Sequence, residues 1–326
     1  MTAAEIGLLV LVVAFATSIG AHYTGACMGM PHALGALNRR QALWLMAPLA
    51  LLGAAVASHP VEATVGLGLT HNRLTEGDEL LVLALAFALT TAYTRARVPT
   101  STIQLLVFSL VGVAVGVGDP VEWGTLGRLV IVWVAAPVGA FLLGLLVTLA
   151  LARLPAGSPI SPVGHRWRPG LRVGPALVAV GMLASFTMGA NDVSNASAAL
   201  IATGTAGPLV AGVIGGAGLA AGVLVFGGRL LQKVAFDIVK VDAVMAVAAQ
   251  LVQVAVVLTA AEFGYFTSMN QALVAAMAGA SRARGQSRTD RRALQGILKG
   301  WAVGPPSGIL LGWLAAVLLR HLGLTA

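Results

Sequence analysis

Charge is the first thing this chain is short of. Of 326 residues only 10% are Asp, Glu, Lys or Arg, while 58% are hydrophobic. A soluble domain keeps roughly a quarter of its residues charged in order to cover itself in water-facing groups. That covering is missing, so a water-soluble fold is excluded. Cysteine is nearly absent too: the single Cys27 rules out an intrachain disulfide. The alternating ten-residue segments of a membrane β-barrel are missing. So are a His-Glu-x-x-His motif, paired catalytic Asp motifs and any base assignable to Cys27, which argues against an intramembrane enzyme. No loop is long enough to hold the soluble domain expected of a non-transporting receptor or scaffold. No charged leader precedes the first apolar run, so the expectation is a first span rather than a cleaved signal.

What is present is apolar length. Ile6–Ile19, Ala42–Ala57, Leu80–Ala92, Leu129–Leu151, Leu177–Met188, Leu209–Phe226 and Val244–Ala261 approach the ~20 residues that cross a hydrocarbon core. Backbone polar groups in lipid must be satisfied within the segment, so these runs are helices. The fold class is therefore all-α and polytopic. The net charge of +8 sits between the apolar runs, where loop bias explains it better than nucleic acid does. The expected partners are the lipid bilayer and a small ligand, with no nucleic acid; a homodimer is compatible with the apolar surface.

The chain is also written twice. Gly20-Ala21 recurs as Gly189-Ala190, an offset of 169. Thr100-Ser101 and Gln104 recur as Thr267-Ser268 and Gln271, an offset of 167. Trp133, Pro137 and Gly144 recur as Trp301, Pro305 and Gly312, an offset of 168. Three landmarks in one order divide the chain into a first repeat at 1–153, a linker at 154–171 and a second repeat at 172–326. The pattern predicts crossings at 5–19, 42–57, 79–94, 98–118 and 129–152, and again at 173–188, 208–227, 243–261, 264–281 and 301–319. Each half adds a re-entrant or broken helix at its Gly-Ala motif. With the N-terminus outside, only Arg73, Arg128 and Arg320 of the 20 basic residues fall outside, as the positive-inside rule asks. Five crossings per half make the repeats inverted and place both termini outside a cell membrane. Inverted repeats build transporters whose site lies near the midplane.

The polar residues within this apolar frame mark that site. Gly189-Ala-Asn-Asp-Val-Ser-Asn-Ala196 sets Asn191, Asp192, Ser194 and Asn195 at membrane depth, where polar groups are costly and default to function. Helix–helix glue is the alternative, and four polar residues in five positions argue against it. Asp192 is the only acid this reading buries in the membrane. The paired segments Pro99-Thr-Ser-Thr-Ile-Gln104 and Phe266-Thr-Ser-Met-Asn-Gln271 offer Thr100, Ser101, Thr102 and Gln104, then Thr267, Ser268 and Gln271. Hydroxyls and free N–H groups at a helix start form a cradle for an oxyanion; an ordinary N-cap is the alternative, made less attractive by the duplication. In the first half, Gly20-Ala-His-Tyr-Thr-Gly-Ala-Cys27 has His22, Tyr23 and Thr24 in place of Asn and Asp. His22 is either a proton-coupling group or a packed polar residue.

Gly-Ala-Asn-Asp-Val-Ser-Asn-Ala resembles the Gly-Ala-Asn-Asp-Val-Ala-Asn-Ala signature of the inorganic phosphate transporter (PiT) family, and Pro-Thr-Ser-Thr-Ile-Gln resembles its Pro-Val-Ser-Thr-Thr-His segment. The resemblance spans nearly the whole chain. It implies a secondary transporter, not an enzyme, without an organic cofactor, that couples proton or sodium to the uptake of phosphate or sulfate. It further implies Asn191, Asp192 and Asn195 as cation and anion ligands, with sodium at Asp192 and Asn195. Ser101, Thr102 and Ser268 would be the anion-binding hydroxyls. The chain departs from the pattern where the first-half Asn-Asp is lost and where Gln104 and Gln271 replace His. A degenerate first motif followed by Met28-Gly29 is similar to the family's sulfate-permease branch, thought to be proton-driven. Phosphate symport ranks first and proton-coupled sulfate transport second.

Overall fold

The helices begin where the sequence offers side-chain caps. Thr2 and Glu5 form a capping box at the start of α1 (Ala3–Ala33), and Asn38 with Gln41 does the same for α2 (Arg39–Ala57). In the computed structural model, which describes residues 2–72, 74–96, 100–153, 174–229, 231, 241–285 and 291–323, the first half continues with α3 (His59–Leu67), α4 (Glu76–Arg95), α5 (Thr102–Val117) and α6 (Trp123–Ala152). The second half comprises α7 (Gly174–Asp192), α8 (Ser194–Ala202), α9 (Pro208–Phe226), α10 (Ala243–Glu262), α11 (Met269–Ala283) and α12 (Arg291–His321). Among the described residues the only β feature is an isolated bridge between Thr70 and Val121. The linker at 154–171 lies outside the described residues, as do Pro99 and the basic residues Arg97, Lys233, Lys240 and Arg288.

Seven stretches are long and apolar enough to cross a membrane, with α7 and α8 counted together. Their outer faces carry exposed large apolar groups, among them Ile131, Val134 and Val138 on α6 and Leu209 and Val225 on α9. Water would penalise such a surface and hydrocarbon does not. This is a multi-pass membrane protein.

Two expectations need correction. The crossings at 98–118 and 264–281 are not full helices: α5 has 16 residues and α11 has 15, short of a full span. Each starts inside the protein, at Ser101 and Ser268, after a buried non-helical approach that includes Thr100 in one half and Phe266-Thr267 in the other. The Gly-Ala motifs are not themselves breaks. Helix α1 runs through Gly20-Ala21 without interruption, where Thr24 Oγ1 donates to Gly20 O within an ordinary helical turn. In the second half the interruption falls at Val193, beyond Gly189. There Ser194 Oγ donates to Asn191 O and Ser197 Oγ to Val193 O, so side chains engage the carbonyls around the break.

The glycines serve instead to bring backbones together, and they show the symmetry. A Cβ on Gly20 would lie 2.1 Å from Leu219 O, and one on Gly189 would lie 2.0 Å from Ala50 O. Gly53 faces Phe186 O at 2.0 Å, and Gly222 faces Thr17 O at 1.9 Å. Each contact becomes its partner when 169 is added to one residue and taken from the other. The pairs Gly144–Ala276 and Gly312–Ser109, and Gly279–Phe141 and Gly112–Ile309, repeat the exchange at offsets of 167 and 168. A pseudo-two-fold axis therefore swaps α1 with α7, α2 with α9, α5 with α11 and α6 with α12. The equivalent helices α1 and α7 run antiparallel: Tyr23 stands by Asp192, Cys27 Sγ reaches Ala184 O at 3.5 Å, and Pro31 lies against Gly181.

Candidate functional site

The inverted packing brings four segments to one buried place: the middle of α1, the starts of α5 and α11, and the α7–α8 break. Tyr23 from α1 is fully buried, and its hydroxyl pairs with Thr102 Oγ1 at 3.0 Å. Asn195 Nδ2 donates to the same Thr102 oxygen at 3.3 Å, tying α8 to the start of α5. Asn191 makes a two-way contact with the chain entering α11: its Nδ2 donates to Thr267 O at 2.9 Å, and its Oδ1 accepts from Thr267 N at 3.2 Å. Gln271 Nε2 reaches Gln104 Oε1 at 3.4 Å, so the two repeat-related amides meet each other. Ser101 and Ser268 cap their helices identically, each accepting from the amide three residues on at 3.4 Å. His22 Nε2 lies 3.3 Å from Asn270 Nδ2.

Sequence reasoning thus named most of the cluster. Asn191, Asp192, Asn195, Ser101, Thr102, Thr267, Ser268, Gln104 and Gln271 are all buried at these four segments. Thr100 is buried at the edge, with its methyl toward Gly304 of α12. Ser194 is spent on Asn191 O. Tyr23 was singled out without a role, although it joins α1 to Thr102. Gln250 and Gln253, both fully buried in α10, were passed over; their amides donate to Cys27 O at 2.7 Å and Met269 O at 3.4 Å. Their signal was legible, since two Gln in an otherwise apolar span are as costly as any Asn. Asp192 is not the only buried acid: Glu62 is 0% and Glu79 5% exposed. Both sit near the ends of apolar runs, where an acid reads as a loop residue until the fold covers it.

The electrostatics have two parts. Helices α5 and α11 point their N-termini into the cluster, where first-turn N–H groups lack intrahelical partners and the dipole is positive. Hydroxyls of Thr102 and Thr267 and the amides of Asn195 and Gln271 add donors. No Lys or Arg belongs to the cluster. Against this donor-rich, formally neutral wall stands Asp192, fully buried, with Tyr23 and Asn191 as its polar neighbours and no cationic side chain in the cluster. Asn195 Oδ1, also buried, is without a donor. An ionised carboxylate in such a place costs several kcal/mol, roughly, unless a cation or proton neutralises it. Buried acceptor oxygens of this kind suit a small hard cation, so the residues present fit sodium at Asp192 and Asn195. The chemistry available is binding without bond-making: an anion on helix N-termini, and a positive charge on Asp192.

Thr102 is the residue on which three segments converge. Thr102→Val keeps shape and deletes the hydroxyl that pairs with Tyr23 and Asn195. The expected result is a rise in anion KM of about tenfold, the equivalent of ~1.4 kcal/mol, with unchanged yield of folded protein. Saturation curves for labelled anion uptake measure it.

Comparison with known proteins agrees with this fold. The phosphate transporter family model matches residues 19–175 and again 165–312. The chain is 27% identical over 335 residues to the probable low-affinity inorganic phosphate transporter of Mycobacterium bovis, covering 97% of this chain and 78% of that protein. It is 26% identical over 317 residues to the sulfate permease CysP of Bacillus subtilis, covering 95% and 86%. Among solved structures, the sodium-dependent phosphate transporter shares the fold with a TM-score of 0.85 over 98% of this chain and 100% of that one, at 20% identity. With the family model matched over residues 19–175 and 165–312, this chain belongs to the phosphate transporter family.

Proposed function

We propose that the protein is a secondary transporter that carries inorganic phosphate into the cell together with a cation. The observation that carries the reading is Asp192: a fully buried carboxylate with no cationic side chain in its cluster, set beside two inward-pointing helix N-termini. The anion is held by N–H groups and hydroxyls of Ser101, Thr102, Thr267 and Ser268, with Gln104 and Gln271 at the symmetry axis. The cation sits at Asp192 and Asn195. Each charge lowers the cost of bringing the other into a low-dielectric site, which is a physical basis for coupling. The repeats 1–153 and 172–326 rock about the site to expose it alternately.

Sulfate is the second reading. It rests on the first-half motif, where His22 and Tyr23 replace the Asn-Asp pair and leave Asp192 as the one acid among the cluster residues. Hydrogen phosphate brings a proton that wants an acceptor, whereas sulfate only accepts and gains from donors alone. The Bacillus subtilis sulfate permease among the relatives adds weight to it.

Uptake of radiolabelled phosphate and sulfate into proteoliposomes, with sodium and proton gradients imposed separately, tests both readings. Phosphate accumulation that needs one of the gradients is the expected result. Sulfate accumulation with phosphate excluded replaces the first reading by the second, and no gradient-driven uptake of either overturns both.

Both termini lie outside and Ala283 lies inside in this reading. In a cysteine-free background (Cys27→Ser), Gly77→Cys should react with a membrane-impermeant maleimide from outside and Ala283→Cys only after permeabilisation. Labelling of both from one side would remove the assigned orientation.

A further inference from the structure

Outside the buried cluster, a second polar feature lies at one end of the seam between α2 and α9. The two helices run antiparallel: Gly212, near the start of α9, lies against Ala54, near the end of α2. The start of α2 therefore meets the end of α9. There the seam opens into a cleft of about 370 Å³ lined by Arg39, Arg40, Leu43, Trp44 and Leu224. That volume is within the range of small-ligand pockets.

The cleft is amphipathic in a definite order. Arg39 and Arg40 are the first two residues of α2, and Leu43 and Trp44 follow one turn further along it. Trp44 is 61% exposed, and beside it Leu224, Val225 and Phe226 are exposed at the end of α9. A cationic head above an apolar wall, with an indole at the join, matches the headgroup level of a bilayer. Among the described residues neither guanidinium makes an ion pair. Arg39 is also seated by the backbone. A Cβ on Gly228 would lie 2.1 Å from its Nη2 and 2.3 Å from its Nε, so glycine there admits the guanidinium against the turn that follows α9.

Loop bias accounts for cations at this end of the molecule, but not for their seat beside an indole in a cleft. The pseudo-two-fold axis supplies a comparison. Adding 169 takes Arg39, Arg40, Leu43 and Trp44 to Pro208, Leu209, Gly212 and Val213 at the start of α9. The opposite end of the same helix pair thus has neither cation nor aromatic ring at these places. The packing of α2 on α9 does not require the set.

We propose that the α2–α9 cleft binds one anionic phospholipid, with Arg39 and Arg40 on its headgroup phosphate and its acyl chains over Trp44 and Leu224. Guanidinium groups present forked donors that match phosphate oxygens. The occupant is a lipid rather than free phosphate because the wall beneath the cations is apolar and open to hydrocarbon. It is an anionic lipid because the ammonium of a zwitterionic headgroup would meet two like charges. Helix α2 belongs to the first repeat and α9 to the second, so the lipid clips the two halves together at one end. In the orientation proposed above this is the cytoplasmic leaflet, and the site does not depend on which anion is carried.

The test reads lipid binding apart from transport. The purified full-length chain in detergent is titrated with phosphatidylglycerol or with phosphatidylcholine of the same acyl chains and followed by native mass spectrometry. The wild type should bind one phosphatidylglycerol about tenfold more tightly than phosphatidylcholine, and should melt higher with it. Arg39→Gln/Arg40→Gln should lose both effects. Gly228→Val keeps both charges but places a side chain where the Arg39 guanidinium lies, and should weaken the preference about threefold. Arg153→Gln, which removes a cation at the end of α6 outside the cleft, should leave it unchanged. A size-exclusion profile for each variant separates loss of the site from loss of the fold. A preference that survives the double variant, or that falls equally in Arg153→Gln, overturns the site in favour of diffuse charge attraction. Displacement of the lipid by inorganic phosphate overturns it in favour of a free-anion site, and a wild type without preference overturns it outright.

Discussion

Asp192→Asn should abolish accumulation of the anion against a gradient, by roughly a hundredfold or more, while exchange of labelled for unlabelled anion survives. The side chain is fully buried, with Tyr23 and Asn191 as polar neighbours and no cationic side chain among the cluster residues. In its charged state it needs a cation, and without one the empty carrier cannot cheaply exist with the carboxylate ionised. That requirement is what links return of the carrier to the state of the cation. Asparagine keeps the size and one acceptor and deletes the charge, so the anion cradle of α5 and α11 stays in place and only the link is cut. A second effect has the opposite sign to that of most core substitutions. Removing an uncompensated buried charge should raise the melting temperature of the ion-free protein. Net uptake, equilibrium exchange and melting on one purified variant give three readouts. Undiminished accumulation would reduce Asp192 to a structural acceptor.

The second large effect is structural. Gly189→Ala and Gly20→Ala should each prevent recovery of a folded, monodisperse protein, although each adds a single methyl. The new Cβ would sit 2.0 Å from Ala50 O in one case and 2.1 Å from Leu219 O in the other. Both obstacles are backbone in the middle of helices, which no rotamer change can move. Relief requires α2 and α7, or α1 and α9, to separate by about 1 Å along their contact, and the loss spreads over every side chain packed between them. Overpacking of this kind costs roughly 1–3 kcal/mol where side chains can give way, and more where only backbone can. The same molecule supplies its control. Gly124 and Gly139 on α6 have nothing within 4 Å of an added Cβ, so Gly→Ala there should be neutral or stabilising by up to ~1 kcal/mol through helix propensity. Equal tolerance at Gly189 and Gly139, measured by size-exclusion profile and melting temperature, would contradict the close helix approach.

Several features were legible before any fold existed, for reasons local to the chain. Long apolar runs with few charges leave no soluble alternative, so the helices follow from hydropathy. The duplication is visible because landmarks at fixed spacing do not depend on what they touch. Asn191, Asp192 and Asn195 stood out because burying such groups is costly wherever the chain goes, and the paired Thr-Ser segments because a helix start is read from its caps.

Other features were decided only by tertiary contact. Gly20 and Gly189 have the same sequence signature whether they hinge a helix or admit a neighbouring backbone; the reciprocal contacts with Leu219 and Ala50 make them packing residues. Helices α5 and α11 looked like full spans because the apolar stretch around each is long enough, and the buried start at Ser101 and Ser268 is set by what surrounds those residues. Tyr23 became part of the site only because inversion brings α1 past the start of α5. Glu62 and Glu79 read as loop-flanking acids until α3, α4 and α8 closed over them, with Glu62 accepting from Ser197 and Glu79 facing Asn195 across a cavity. By itself, the sequence determined which residues are too polar or too apolar for water or lipid, because transfer energy belongs to each side chain alone. Which of those residues face one another was decided by the packing of the two halves, since a contact energy exists only between partners that the fold has brought together.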